Sequence, residues 1–434
     1  MLGFGIFKKI QISFALNRID LDYKSFILFS LFLGFCNPAE FENPCDPKSE
    51  TFRKNYLIIS DLGIKSGYCG ISSTPFSNGS NSNTGTNQTP TIPTKVAKFL
   101  MVSNAGSNNV NVYTINSTTG ALTQISGSPF AAGGGARFVT AHPSGLFAYV
   151  ANGSGSSISA YLINTTTGFL TPISGSPFAI PVNPYALTIN AAGTLLYVAP
   201  YSGTLIYMYS INLTTGALTF VNSFSNTGVY AASLAIDPTG KYMYAGDTTN
   251  PGRIDAFQID SSNGFLTPIA GSPYINGGND TIGVTVDPTG KYVYATNYFT
   301  NDIYGYVLNP TTGQLSGIPG SPFATGSSAP TFIIVEATGK FLYVPNSGTN
   351  NISGFTVNQT TGALTSISGS PFLCGASPSV VYADPSSTFL YSANTSGNNV
   401  SGFTINSTTG ALTPIAGSPF AAGTSPFGFG FVSY

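Results

Sequence analysis

Charge is what this chain has least of. Asp, Glu, Lys and Arg make up 7% of its 434 residues, the formal net charge is −1, and there is one histidine, His142. Binding to nucleic acid requires clustered Lys or Arg against phosphate, so no nucleic-acid partner is expected. Trp is absent and Cys occurs four times. The cysteines lack zinc-type spacing and His142 is the one available imidazole, so no metal site and no cofactor are expected. What fills the chain instead is 42% hydrophobic residues, 13% aromatics, 50 Gly and 29 Pro. So many aromatics exclude a charged disordered polymer, and so much Gly and Pro disfavours long helices. Short strands joined by Gly, Pro and Asn turns fit the composition.

The few cations are unevenly placed. Residues 1–94 hold eight of the fifteen Lys and Arg, which marks a boundary near Thr94. Residues 1–36 read as an export region. Lys24 precedes an apolar run ending in "LGFC" at Cys36, and a run of about ten residues is too short to span a bilayer but suits a signal peptide. The run starts far from Met1, so translation could begin near Leu21; a buried N-terminal strand is the alternative reading. Cys36 after "LGF" resembles a relaxed bacterial lipobox, with Phe35 where small residues are usual. That resemblance implies lipidation of Cys36 and a membrane-anchored lipoprotein at the cell surface, outer membrane or periplasm. Within residues 37–70, Cys45 and Cys69 are expected to pair as a disulfide in an oxidising compartment. Residues 71–94, rich in Ser, Asn, Thr, Gly and Pro, read as a flexible linker spanning on the order of 25–30 Å.

From residue 95 to 434 one pattern recurs. The glycine of "N-x-T-T-G-x-L" stands at Gly120, Gly168, Gly216, Gly264, Gly313, Gly362 and Gly410, at a spacing of 48 or 49 residues. Each repeat divides into four strand candidates; in the fifth they are "GVTVD", "KYVYATN", "IYGYVLN" and "QLSGI". Alternating patterns, turn signals between them and no helical stretch predict an all-β fold of four-stranded blades. Seven copies predict a seven-bladed β-propeller. "KFLMVSN" (98–104) matches a second strand and "SPFGFGFVSY" (425–434) a first strand, so the C-terminal strand is expected to join the first blade and close the ring, removing two free sheet edges.

"KYVYATN", "LFAYVAN" and "KFLYVPN" resemble the YVTN-type repeat, and the period and blade number resemble the lactonase-type seven-bladed propellers. The resemblance covers residues 95–434. It implies a fold shared by phosphogluconolactonase-like and muconate-cyclising enzymes, with His, Glu and Arg expected in the central channel. This chain has no channel His, and its one propeller Glu, Glu336, falls in a turn.

Much of the repeated segment is scaffolding. Asn116, Asn164, Asn212, Asn358 and Asn406 match glycosylation sequons, but a tight Asn–Gly turn explains them. Asp237, Asp287 and Glu336, each followed four residues later by Lys, read as surface pairs in turns. His142 occupies the same turn position and is not read as a base. "GSPF" reads as the exit toward the next blade, and Pro172, Pro268 and Pro414 mark the fourth strand as an edge. Cys374 reads as a small half-buried residue.

Residues that break the repeat on the face gathering the loops into the first strands and between the second and third are the candidates for ligand binding: Arg137, Tyr185, Tyr230, Asp247, Arg253, Asp280 and Asp302. Among them Arg137 is the candidate oxyanion or carboxylate partner and Asp280 the candidate base, as lactone hydrolysis requires. The expectation is an exported, lipid-anchored, monomeric binding module. Its partner would be a small polar ligand, a glycan or a protein at this face, with lactone hydrolysis or cyclisation as the alternative.

Overall fold

The structure is a computed structural model that describes residues 96–200, 203–225 and 231–434. The expected signal, cysteine-containing and linker segments, with Cys36, Cys45 and Cys69, lie outside the described residues, as does Tyr230. The described chain forms seven antiparallel sheets and contains no helix among the described residues. In blade 5, for example, the strands are Thr281–Val286, Tyr292–Asn297, Asp302–Leu308 and Leu315–Gly317, running from the innermost outward. The second strands are buried along their whole length in blades 2 and 4–7, as befits strands covered on both faces by neighbouring blades. Closure occurs as expected: Pro426–Ser433 pairs antiparallel with Ala97–Asn104 and becomes the innermost strand of blade 1.

The repeated turn does more than reverse the chain. Asn358 Oδ1 accepts from the N–H groups of Thr360 and Thr361, and Gly362 follows at φ 75°, a conformation glycine adopts without a Cβ penalty. A Cβ there would also lie 2.5 Å from the Tyr292 ring of the preceding blade. Tyr294 of that blade donates its hydroxyl to the Gly362 carbonyl at 2.7 Å. Tyr149, Tyr197, Tyr244, Tyr343 and Tyr391 do the same to Gly216, Gly264, Gly313, Gly410 and Gly120. The turn is therefore the catch of an inter-blade latch. At the seam, blade 1 carries Met101 in the register of these tyrosines, and a methionine offers no hydroxyl.

"GSPF" corrects the reading of it as an exit. In blade 6 the outer strand pauses after Ser366 and resumes as Phe372–Leu373 against Asn351–Ile352. Ser370 Oγ accepts from the Gly354 N–H in the gap, and five other blades repeat this bond. The segment thus completes the outer edge before leaving. The acidic turns also differ from the expected surface pairs. Asp287 is 2% exposed and accepts from the backbone N–H of Thr289, Lys291 and Tyr292; Asp237 and Glu336 do likewise. Their spacing to lysine comes from the turn. His142 is buried and joins turns of adjacent blades through Nε2 and the Gly193 carbonyl at 2.8 Å.

Candidate functional site

The face that gathers the loops into the first strands is called the top here. Its amides turn inward. Asn394, at the end of a second strand, is fully buried, and its Nδ2 donates to Asn399 Oδ1 at 2.7 Å and Ser401 Oγ at 2.8 Å. Asn104, Asn152 and Asn346 build the same clip. A residue directly opposite and one diagonal to it share a sheet face, so the amide reaches both. In blade 5 the clip runs from Asn297 to Asp302 Oδ1 at 2.8 Å, which places Asp302 within this framework.

Blade 4 writes the clip in charges. Asp247 stands in register with Arg253 and Asp255 with Ala245, the places held in other blades by amides and hydroxyls. Asp247 and Asp255 are fully buried, and Arg253 Nε meets Asp247 Oδ2 at 2.6 Å. Asp247 Oδ1 accepts no hydrogen bond. Asp280 lies near enough to Asp247 for their charges to interact. It precedes the first strand of blade 5 at φ 65°, as Gly135, Ala329, Ser377 and Ser425 precede theirs. Burial first, and the Asp247 charge second, push its carboxyl up to about 6. Among the described residues no group of three or more His, Cys, Asp or Glu is arranged to hold a metal.

At the centre, the first strands, and in blade 6 the segment just before the first strand, carry an aromatic floor across the channel. Phe138, Tyr185, Phe332 and Phe427, from blades 2, 3, 6 and 1, meet with ring centroids 4.9–6.4 Å apart. Arg137 is half-buried on this floor, its guanidinium carbon 5.1 Å from the Tyr185 centroid and 5.2 Å from that of Phe427. Arg137 and Tyr185 thus come together. Asp247, Arg253 and Asp280 form a second group on blades 4 and 5, and Asp302 belongs to the blade 5 clip. Sequence reading missed Phe138, Phe332 and Phe427. The signal was present: aligned by strand pairing, Phe138 and Phe332 occupy a position held elsewhere by Ala186, Gly283, Gly428 and Val380.

The profile described as "Lactonase, 7-bladed beta-propeller" matches residues 88–274, 195–317 and 311–425. The chain belongs to the lactonase seven-bladed β-propeller family. A search of curated proteins finds no match. Among solved structures, this lactonase-family propeller is similar to a provisionally assigned 6-phosphogluconolactonase from Bacteroides uniformis, with TM-score 0.68 and 20% identity, covering 78% of this chain and 100% of that one. A second such protein, from Bacteroides fragilis, gives 0.66 and 22%, with coverage of 80% and 100%. The periplasmic gluconolactonase PpgL of Pseudomonas aeruginosa gives 0.65 and 18%, with coverage of 77% and 98%. At these identities the likeness is one of fold.

The two groups offer different chemistry. An aromatic floor with a guanidinium on it stacks against a flat apolar face while presenting a donor fork to oxygen. A carboxyl titrating near 6 is half ionised in mildly acidic solution and can accept a proton near neutrality.

Proposed function

We propose that this lactonase-family propeller binds a small, oxygen-rich ligand of the sugar-acid or lactone class at the top of its channel. The observation that carries this reading is Arg137 lying on Tyr185 and Phe427 over the aromatic floor. The sugar face would stack on the rings, and a carboxylate or lactone carbonyl would take the Arg137 fork. A phosphorylated ligand is disfavoured because Arg253 is engaged by buried Asp247. The apolar run before Cys36 supports placing the domain outside the cytoplasm as a lipid-anchored protein, and a neighbour of the same fold is named as periplasmic. Calorimetry with gluconate tests the site: Arg137→Ala is expected to weaken binding by about tenfold or more, the range of a charge-assisted hydrogen bond. Unchanged affinity in that variant would remove Arg137 from the site. Membrane fractionation with mass spectrometry of the N-terminus tests the anchor.

Hydrolysis is the second reading, favoured by the raised carboxyl of Asp280. Asp280 would draw the proton from water as it attacks the carbonyl of a lactone held beside the blade 4 and 5 group. Turnover of an aldonolactone panel that rises through about pH 6, and is lost in Asp280→Asn, is the expected result.

A further inference from the structure

In blades 1, 2, 4, 6 and 7 the two residues that follow the second strand are small, as in Gly153–Ser154 and Thr395–Ser396. Blade 5 has Tyr298 and Phe299 there. Phe299 is 63% exposed, and its ring meets that of Tyr298 edge-on at 5.0 Å. A lone exposed phenylalanine is ordinary on a protein surface, but here two aromatics stand together on a loop that is held in place. The Tyr298 N–H donates to the Asp280 carbonyl at 2.9 Å, the Phe299 N–H to that of Asn279 at 3.3 Å and the Asn301 N–H to that of Asn297 at 3.1 Å. A platform already in position costs a ligand little ordering.

The direction of each ring follows from its counterparts in other blades. The first position turns toward the entry of the next blade. A Cβ on Gly153 would lie 3.1 Å from the Arg137 side chain and 3.3 Å from the Pro184 carbonyl oxygen, and Thr395 Oγ1 donates to the Pro426 carbonyl at 2.9 Å. Tyr298 holds this position beside the entry of blade 6, where Pro330 pairs with Asn346 two residues before the floor member Phe332. The second position leans over the loop entering its own blade: a Cβ on Gly106 would lie 3.0 Å from Thr424, and one on Gly348 2.5 Å from Ser328. Asn279 is the corresponding residue in blade 5. Tyr298 and Phe299 thus carry an aromatic surface from the edge of the floor to the rim.

Charge narrows what this surface takes. A second anionic group would meet the half-buried carboxyls of Asp280 and Asp302, with Arg253 already held by Asp247. The C–H face of a neutral pyranose suits the negative face of an aromatic ring, and its hydroxyls suit the Asn279 amide and Asp280 carboxyl alongside. We propose, resting on the reading that Arg137 holds a sugar acid or lactone, that this group is the end of a longer saccharide whose next neutral hexose unit stacks on Tyr298 and Phe299.

Calorimetry on the full chain with gluconate, cellobionate and maltobionate tests this, the latter two being gluconate that carries a β-linked or an α-linked glucosyl unit. At least one of the two is expected to bind about fivefold tighter than gluconate, the range of one contact on an aromatic face. In Phe299→Ala that ratio is expected to fall to one, whereas Phe299→Tyr, which keeps the ring, retains it. Tyr298→Ser answers the same question should circular dichroism show Phe299→Ala unfolded. The proposal is overturned if neither longer acid binds tighter than gluconate, or if folded Phe299→Ala keeps the full ratio. Arg137→Ala is expected to weaken all three acids by a common factor. If it weakens none while Phe299→Ala still cancels the ratio, the anchor at Arg137 fails and the blade 5 subsite stands; if no acid binds, both fall.

Discussion

At the scale of single residues, blade 4 shows how a structural position can carry a functional signal. Asp247 and Asp255 are both fully buried, and Arg253 is the cation beside them. Replacing Arg253 with Met strands buried negative charge, and a loss of about 3–5 kcal/mol in urea unfolding is expected. Rewriting the three positions together as D247N, R253N and D255S gives them the residues of blade 7, Asn394, Asn399 and Ser401. That triple variant is expected to equal or exceed the wild type in stability, because hydrogen-bonded neutral groups avoid the desolvation of charge. A triple variant less stable than Arg253→Met would show that the charges are needed by the fold. Asp280 makes a prediction in pH. Its folded carboxyl titrates at about 6, above its ordinary 3.8, so the folded state keeps a proton that the unfolded state releases. Its contribution is then full below the unfolded value and is lost as pH rises from about 4 to about 6. Asp280→Asn keeps a left-handed-tolerant residue and is expected to flatten that decline in urea midpoints. Equal slopes in the two proteins would mean the carboxyl is not held up by burial and Asp247.

Among elements, the outer edges differ in how they are protected. Six blades interrupt the edge with proline, at Pro129, Pro177, Pro273, Pro322, Pro371 and Pro419. Blade 3 instead runs one strand, Leu218–Ser225, with a bulge near Val221 and no proline or charge. Phe220 and Val221 are 53% and 41% exposed along it. Such an edge invites pairing with another chain, so Val221→Lys is expected to delay light scattering on heating at unchanged secondary structure. Scattering indistinguishable from wild type would clear this edge of blame. The same elements show what a sequence can convey. The inner four strands were legible because alternation and Asn–Gly turns are local patterns. The resumed outer strand was not, because Phe372–Leu373 is two residues long and its pairing is set by Ser370 reaching Gly354 across the gap. The clips of the strand-end asparagines were not legible, because a sequence does not say which way a side chain turns, and pairing turns Asn394 inward onto Asn399 and Ser401. Arg137 was legible as a departure from the repeat, whereas its aromatic floor required four blades to be brought to one axis.

For the whole molecule, the ring is a circuit of neighbour contacts with one seam. Tyrosine latches run from blade 2 onward to blade 7, and Tyr391 of blade 7 fastens to Gly120 of blade 1. Between blades 1 and 2, where Met101 replaces the tyrosine, other contacts must hold. The C-terminal strand supplies one of them: Tyr434 Oη donates to the Gly145 carbonyl of blade 2 at 3.1 Å, and Lys98 Nζ and Tyr161 Oη add bonds to the Thr165 and Ala131 carbonyls across the same boundary, while Pro426–Ser433 pairs along Ala97–Asn104 within blade 1. The strand also brings Phe427 to the aromatic floor, so closure and the candidate site share a part. Truncation after Thr424 would remove that floor member, bare the edge of Ala97–Asn104 and leave the central channel open on one side. The expected outcome is a chain that loses cooperative unfolding and gluconate binding together. Adding the peptide 425–434 in trans should restore both, since the missing strand pairs through backbone hydrogen bonds that need no covalent link. A truncated chain that unfolds as cooperatively as the full one would show that the ring does not depend on its closing strand. One that regains folding with the peptide but not gluconate binding would separate the floor from the ligand and return the site to Arg253, Asp247 and Asp280.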